Sequence, residues 1–387
     1  MRRVLFRVLL SMSMVAVRRR PCKSSFERMW GMEFGVCVAT KVDEIGYITH
    51  AEKLGYSHAW IADSQMIWSD CYAVLALAAQ QTRSIKLGTG VAIAGTRIVP
   101  VTAHSIATIN RLAPWRTFLG IGTGNTAMRI MGHKPLRLKE FAHDLRVIRA
   151  LLKGEEVEFT WRGQTSVIKL MMPELDFIDI EHPIPIYVSG FGPKAQALAG
   201  EYGDGLVMSI PPQPDFMERS LRNVRYGAEQ AGRDLELDTF HTTSLTAAVI
   251  LQPGESLTSE RVLRECGPFV ISSLHYLYDK IRQWGGRVPP HVRDIWGEYS
   301  KLVEETPESH RHMRIHAGHC TYLLPEEAKF VTLELIKSTC LVGTPEEIID
   351  QIRQLEAVGL KQMMILPSLE MQYGGIETFA RKVMAKM

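Results

Sequence analysis

Short apolar segments alternate with longer amphipathic segments from residue 33 to residue 366 of this 387-residue chain. In the first unit an apolar run at residues 34–38 predicts a strand, and the apolar residues from Ile45 to Leu54 recur at every third position. That spacing places them on one face of a helix. Gly55 follows, where a helix commonly ends in left-handed backbone. The unit therefore predicts a strand followed by a helix.

The same unit recurs along the chain. Further strands are predicted at residues 59–62, 85–91, 117–121, 184–188, 206–208, 249–251 and 363–366. Their near-continuous apolar character favours parallel strands that are buried on both faces. A doubly wound sheet or a barrel would satisfy this pattern. Eight units without an intervening linker favour an α/β fold of the (β/α)8 TIM type.

Two segments interrupt the alternation. Residues 153–170 predict a β-hairpin, and residues 258–330 predict a helical insertion between the seventh and eighth strands. Neither segment has the composition of a linker. We therefore expect residues 32–387 to form a single barrel domain.

The first 31 residues differ in composition from the rest. Residues 1–28 carry eight basic groups and one acid, a charge of +7 in a chain of net charge +3, so the remainder is mildly acidic. A secretory signal, an organellar transit peptide and an N-terminal extension before a working start at Met29 or Met32 are the alternatives. We favour an extension that is disordered or absent from the working protein. The acidic body argues against nucleic-acid binding.

Cysteine usage and hydropathy limit the other classes of protein. The six cysteines show no C-x-x-C pair and are too sparse for a disulfide framework, which predicts a cytoplasmic protein without a metal centre. No apolar run approaches the length of a membrane span. We therefore expect neither a membrane protein nor a metalloprotein.

In a barrel of this type the active site lies at the carboxyl ends of the strands. The residues there include no cysteine or lysine and few carboxylates, which argues against nucleophilic and Schiff-base chemistry. Glycines and small hydroxyls allow the backbone to approach a bulky cofactor. The candidates for cofactor binding are Thr40, Gly90, Val91, Ala92, Gly122, Thr123, Gly124, Ser189, Gly190, Phe191, Gly192 and Pro193.

Residues 189–193 leave one predicted strand and enter a helix at Pro193, a favoured first helical residue. Free amides at that helix start could bind a phosphate, although a plain turn would show the same sequence. Asp63 ends the second strand, where it could handle a proton or cap a turn. We assign it the catalytic role.

The substrate side is less clearly marked. His312, His316 and His319 have a spacing that could bind a metal on one helix face, but Gly318 interrupts it, and we favour solvated or substrate-facing histidines. Trp68 is a candidate pocket wall. The predicted substrate contacts are Ser64, Trp68 and His319.

Several motifs together resemble a known family. They are residues 51–63, residues 85–91, residues 102–108, residues 119–124, residues 192–201 and residues 341–347. In this order they resemble the luciferase-like flavin-dependent oxidoreductases, and most closely the methylenetetrahydromethanopterin reductase branch, which uses the deazaflavin coenzyme F420. The resemblance covers about residues 33–368 and implies the same (β/α)8 barrel.

The resemblance also implies roles for particular residues. Gly90-Val91 matches a non-prolyl cis peptide behind the deazaflavin ring, Ser189 to Pro193 match the loop near the cofactor phosphate, and Asp63 matches an acid near the reacting face. Family members suggest a homodimer. The chain departs from the reductases at Cys37, where they have glutamate, at Ser64-Gln65, where they have His-Tyr, and at residues 113–116. These departures argue against a pterin substrate.

Three functions follow from this reading. The first is an oxidoreductase that transfers hydride between coenzyme F420 and a small organic substrate. The second is a luciferase-like monooxygenase that uses reduced FMN and oxygen, with a flavin reductase as partner. The third is a non-catalytic flavin-binding protein.

Overall fold

Eight parallel strands close into a barrel. In the computed structural model, which describes residues 31–209 and 213–387, each strand pairs with the next, and the last pairs with the first. The strands are β1 (Glu33–Val38), β2 (His58–Ile61), β3 (Lys86–Thr89), β4 (Thr117–Gly122), β5 (Ile186–Ser189), β6 (Gly205–Met208), β7 (His241–Thr246) and β8 (Gln362–Ile365). The predicted (β/α)8 barrel is confirmed. All but Gly31 of the basic segment 1–31 lies outside the described residues.

Helices surround the barrel and cover one end of it. They are α1 (Gly46–Lys53), α2 (Cys71–Gln81), α3 (Val99–Leu112), α4 (Thr126–Ile130), α5 (Leu138–Leu152), α6 (Pro193–Tyr202), α7 (Pro214–Gln230), α8 (Glu260–Trp284), α9 (Arg293–Glu304), α10 (Glu308–Ile315), α11 (Leu333–Thr339), α12 (Pro345–Ala357) and α13 (Gln372–Lys382). Helices α8 to α10 lie in the segment between β7 and β8. A hairpin of Val157–Trp161 and Gln164–Ile168 follows α5. Within the described residues no helix combines the length and apolar character needed to cross a bilayer.

The predicted seventh strand, at residues 249–251, is wrong. Ala248–Ile250 pairs instead with Leu341–Gly343 in a separate two-stranded sheet, and the barrel strand is His241–Thr246. That strand is polar in sequence, yet its threonine hydroxyls are buried and hydrogen-bonded. Hydrogen bonding offsets the cost of burying these hydroxyls, so a hydropathy pattern does not reveal the strand.

One glutamine organises the amino-terminal end of the barrel interior. Gln362 Oε1 accepts hydrogen bonds from Trp60 Nε1 at 2.8 Å and Thr243 Oγ1 at 3.1 Å. Its Nε2 donates to His58 Nδ1 at 2.6 Å. His241 stacks beside this group on Tyr187, with ring centroids 4.6 Å apart. Hydrogen-bonded and aromatic side chains therefore fill the barrel beneath its carboxyl end.

Glu33 adds a third donor group at this end. Its Oε2 lies 3.9 Å from His58 Nδ1 and 3.8 Å from His241 Nδ1. The three side chains have the donor types of a metal site. However, His58 Nδ1 already lies within hydrogen-bond distance of Gln362 Nε2, at 2.6 Å, and of Ser57 Oγ, at 2.8 Å. The Nε2 atoms of His58 and His241 are buried and have no hydrogen-bond partner among the described residues. The absence of a metal centre stays a prediction.

Candidate active site

The carboxyl ends of the eight strands form the barrel mouth. Three of the predicted cofactor residues, Val91, Gly122 and Ser189, come together there from three successive strand ends. A Cβ atom at Gly122 would lie 3.1 Å from Ser189 Cβ and 3.3 Å from Val91 Cγ2. Val91 and Ser189 are partly exposed. We call these three residues the cofactor floor, a small platform open toward the mouth.

The peptide bond between Gly90 and Val91 is cis, as the resemblance implies. Gly90 rests on Trp60, and a Cβ atom at this position would lie 2.6 Å from Trp60 Cβ. Only glycine therefore fits without displacing the barrel core. Ala92, which is buried, continues the segment into a short pairing with the end of β4.

The turn after β5 is built to approach a ligand closely. Gly190 packs against the first turn of α6, where a Cβ atom would lie 2.9 Å from the Ala195 carbonyl carbon. Gly192 faces open space, and Phe191, Gly192 and Pro193 are exposed. The first amides of a helix have no partner inside the helix. The turn therefore presents free donors, a positive helix end and the exposed Lys194, a combination that suits a phosphate.

Asp63 is buried, and both of its carboxylate oxygens accept hydrogen bonds. Its carboxylate accepts hydrogen bonds from Arg97 Nη1 at 2.6 Å, from Gln65 Nε2 and from the Ile93 amide at 3.3 Å. Only 2% of the Asp63 side chain is exposed, compared with 53% of Asp70, which pairs with the same arginine. The geometry therefore links the end of β2 to the segment that follows Val91, and each carboxylate oxygen already accepts at least one hydrogen bond.

A cavity of about 560 Å³ opens above the mouth. It is lined by Thr40 after β1, by Trp68 after β2, and by His316 and His319 after α10. Trp68 and His319 contact one another, with ring centroids 6.0 Å apart. Two of the predicted substrate residues thus face one cavity, and the insertion contributes its opposite wall.

The cavity contains polar atoms that no described protein group satisfies. Trp68 Nε1, His316 Nδ1 and His319 Nδ1 are buried and lack a hydrogen-bond partner among the described residues, whereas His316 Nε2 lies 3.4 Å from Asp279 Oδ2. Burial lowers the pKa of His319 to about 3, and that of His316 also lies below its ordinary value. Both imidazoles are therefore neutral at pH 7. Such unpaired atoms are costly unless a ligand or water completes them, so the cavity suits a ligand with polar atoms.

The remaining predicted residues have supporting positions. Thr40 Oγ1 donates to the Ser69 carbonyl at 3.0 Å, and the Ser64 carbonyl accepts from the Trp68 amide at 3.2 Å. The Thr123 carbonyl accepts from the Leu136 amide at 3.0 Å. Gly124 has φ of 77°, and a Cβ atom there would lie 2.3 Å from Ile93 Cγ2. Of these residues, Thr40 lines the cavity and Ser64 does not.

Sequence reasoning missed Arg97 and left His316 without a role. Arg97 lies 34 positions from Asp63 and carries no local motif, so nothing in the sequence marks their pairing. His316 was recognised only as part of a histidine spacing. Its position in the cavity depends on how α8 and α10 pack over the mouth, which a spacing does not encode.

Comparison with known proteins places this geometry in a family. The profile of the luciferase-like monooxygenases matches residues 32–362. The 5,10-methylenetetrahydromethanopterin reductase of Archaeoglobus fulgidus is 27% identical over 82% of this chain and 87% of its own length. The Methanolobus tindarius enzyme of the same name is 36% identical, but over 49% of this chain and only 56% of its own length.

A solved structure shows the same fold. The coenzyme F420-dependent tetrahydromethanopterin reductase from Methanopyrus kandleri aligns with a TM-score of 0.66 at 22% identity, over 92% of this chain and 99% of that chain. The family profile covers most of the chain, and the barrel and the cis peptide lie where the resemblance implies. The chain belongs to the luciferase-like monooxygenase family.

Proposed function

We propose that this chain is an oxidoreductase that binds coenzyme F420 at the barrel mouth and transfers hydride to or from a small organic substrate. The observation that carries the proposal is the cofactor floor, which lies beside a turn suited to phosphate and beneath a polar-lined cavity. The name of the Archaeoglobus reductase supports an oxidoreductase. The F420-dependent hydroxymycolic acid dehydrogenase of Mycobacterium tuberculosis, 32% identical over 49% of this chain and 54% of its own length, supports the deazaflavin as the first choice. FMN, which the resemblance to the luciferase-like flavin-dependent oxidoreductases also implies, is the alternative cofactor.

Different residues of the chain would bind the ring and the phosphate of the cofactor and position the groups around them. Val91, Gly122 and Ser189 would support the ring, and the turn from Gly190 to Pro193 would hold the phosphate. A bound deazaflavin supplies hydride chemistry at C5 of its ring, as FMN does at N5. The protein's contribution is orientation and the exclusion of water by the insertion. Asp63 would act by fixing the Ile93 amide and Arg97, as a positioning residue.

The substrate differs from the pterin of the named reductases. Where those enzymes have a glutamate in the first strand, this chain has Cys37, and burial raises the pKa of its thiol to about 12. The thiol is therefore neutral at pH 7 and cannot replace a carboxylate. The cavity instead offers the neutral donor Trp68 Nε1 and two neutral imidazoles. This set suits an uncharged oxygen-bearing compound such as an alcohol or carbonyl.

Binding of the cofactor is the direct test. The full-length chain is titrated with coenzyme F420 and with FMN, following the fluorescence of each. We expect micromolar binding of the deazaflavin and weaker binding of FMN. Gly122→Val places methyl groups on the cofactor floor and should weaken binding at least about tenfold, whereas Gly297→Ala, whose Cβ meets nothing within 4 Å, should not. Preference for FMN would support the monooxygenase; binding of neither would overturn both.

The cavity residues give a second prediction. Trp68→Phe keeps the ring but removes the Nε1 donor, so we expect kcat/KM toward an alcohol or carbonyl substrate to fall about tenfold, the worth of one hydrogen bond. Cofactor affinity should remain unchanged. Trp161→Phe, at a half-exposed side chain in the hairpin after α5, is the matched control. Unchanged turnover in Trp68→Phe would remove this residue from the substrate site. Turnover of no candidate, with tight binding retained, would favour the non-catalytic flavin-binding alternative.

We further propose a homodimer. Five large apolar side chains are more than half exposed: Trp115 in the turn after α3, and Met171, Met172, Leu175 and Phe177 between the hairpin and β5. Exposed apolar patches of this kind commonly mark protein interfaces. Light scattering should give twice the 43.6 kDa chain mass. A monomer at micromolar concentration would contradict the proposal.

A further inference from the structure

A second cavity, of about 350 Å³, lies between α4, α8 and α10. Four basic side chains line it, against two carboxylates: Arg129, Lys134, Arg282 and Arg311, with Asp279 and Glu308. His312 adds an imidazole. We call it the basic pocket. Cationic side chains therefore outnumber carboxylates in its lining by four to two.

The two carboxylates already have partners. Arg129 Nε lies 3.3 Å from Asp279 Oδ2, and Arg282 Nη2 lies 3.5 Å from Glu308 Oε1. In the described part of the chain no carboxylate pairs with Arg311 or Lys134, and Arg311 Nε is buried without a hydrogen-bond partner. Two positive charges are thus left over. A guanidinium with an unused donor in a concave site favours a carboxylate or a phosphate.

The basic pocket is connected to the turn proposed for the cofactor phosphate. Phe191 in that turn contacts Tyr276 on α8, with ring centroids 5.8 Å apart. Asp279 and Gln283 follow Tyr276 on successive turns of the same helix face and line the basic pocket. At 1.5 Å per residue, the distance along α8 from Tyr276 to Gln283 is about 10 Å. An elongated ligand that is anchored at the turn could therefore reach the pocket.

We propose that the basic pocket binds the carboxylates of an oligo-anionic tail that extends from the cofactor phosphate, the chemistry of the γ-linked glutamate chain of coenzyme F420. The inference rests on the proposed function and specifies it further. FMN ends at its phosphate and offers no such tail. Arg311 and Lys134 would then discriminate between the two cofactors at a site distant from the ring.

A separate small anion would satisfy the same two cations. A phosphorylated or carboxylated substrate, or free phosphate, differs from a tail in one respect: its binding does not depend on the length of the cofactor. The test must therefore vary the cofactor and the pocket independently.

The full-length chain is titrated with F420 bearing one glutamate, with F420 bearing several, and with the phosphate-free riboside. We expect affinity to rise with tail length by about tenfold, and the gain to shrink as ionic strength is raised, since partly exposed charge contacts are screened. The double variant Arg311→Gln/Lys134→Gln should lose the gain from the long tail and bind the one-glutamate form like the parent. Lys301→Gln/Lys337→Gln, two exposed lysines outside the pocket, is the charge-matched control and should retain the gain.

Each other result overturns the inference in a distinguishable way. If the parent and the double variant bind short and long tails with equal affinity, the cofactor site stands and the tail site is contradicted. A second result is that inorganic phosphate competes with the cofactor in the parent and not in the double variant, while affinity does not depend on tail length. That result assigns the pocket to a separate anion. Binding of FMN alone overturns the tail site, and binding of no cofactor overturns the proposed function itself.

Discussion

Asp63→Asn should lower the free energy of unfolding by about 3 kcal/mol, the lower end of the cost of breaking a buried ion pair from one side. The asparagine keeps the size of the side chain but removes the charge that faces Arg97 at 2.6 Å. Arg97 retains Asp70 as a partner, which limits the loss. The same change should weaken cofactor binding, because the Ile93 amide beside Val91 is held by this carboxylate. Urea unfolding measures the first effect and cofactor titration the second.

Asp70→Asn provides a matched control on the same arginine. Asp70 is half exposed and caps α2 by accepting hydrogen bonds from the amides of Tyr72 and Ala73, a role that asparagine fills well. Its loss should cost less than about 1 kcal/mol. The double variant Asp63→Asn/Arg97→Gln should be less destabilised than the sum of its single variants. If Asp63→Asn folds and binds cofactor normally but cannot turn over, Asp63 transfers a proton and the positioning role is wrong.

The stability of the protein should fall steeply as pH drops below about 6.5. Burial lowers the pKa of His241 to about 3 and that of His58 well below its ordinary value, and the Lys86 ammonium acts in the same direction on both. The unfolded chain takes up protons near pH 6.5, whereas the folded barrel does not. Each of the two histidines should therefore lower the free energy of unfolding by about 1.2 kcal/mol between pH 7 and pH 5.5. The loss continues until the folded pKa is reached.

A variant separates this effect from other titrations. Burial raises the pKa of Asp144 to about 7, so its protonation stabilises the folded state as pH falls and opposes the histidines. That contribution is common to the parent and to His241→Gln. Urea unfolding at several pH values should therefore show that the free energy of unfolding of the variant falls less with pH than that of the parent. The difference should equal the contribution of one histidine. His104→Gln, at an exposed site, should follow the parent. Parallel pH curves for parent and His241→Gln would show that His241 is protonated in the folded barrel.

Hydrophobic pattern predicted the barrel because seven of its eight strands are apolar runs, such as Phe118 to Ile121 in β4. It failed at β7, where threonine, serine and histidine face a hydrogen-bonded interior centred on Gln362. A polar residue whose partner lies about 120 positions away looks like a loop residue in sequence. Strand boundaries and helix positions elsewhere followed from local periodicity, and the hairpin after α5 was recognised by the same means.

The parts of the candidate site that backbone conformation forms could be predicted from the sequence. The cis peptide at Gly90-Val91 and the turn at Ser189 to Pro193 carry motifs that the resemblance recognises. The partner of Asp63 was not predictable, because Arg97 lies 34 positions away in the loop that precedes α3 and carries no local motif. The residues of the cavity wall that come from the insertion, His316 among them, belong to a segment without recognisable motifs. Long-range packing of helices decides their position.

The insertion between β7 and β8 separates one wall of the cavity from the strand ends beneath it. Strand ends of the first half of the barrel and β5 carry the cofactor floor, whereas one wall of the cavity comes from helices that the barrel does not need in order to close. Under the proposed function, substitutions in residues 313–322 should change which substrate is accepted and leave the cofactor site beneath the cavity unchanged. Descendants of one such ancestor would then diversify in substrate while inheriting a single redox platform.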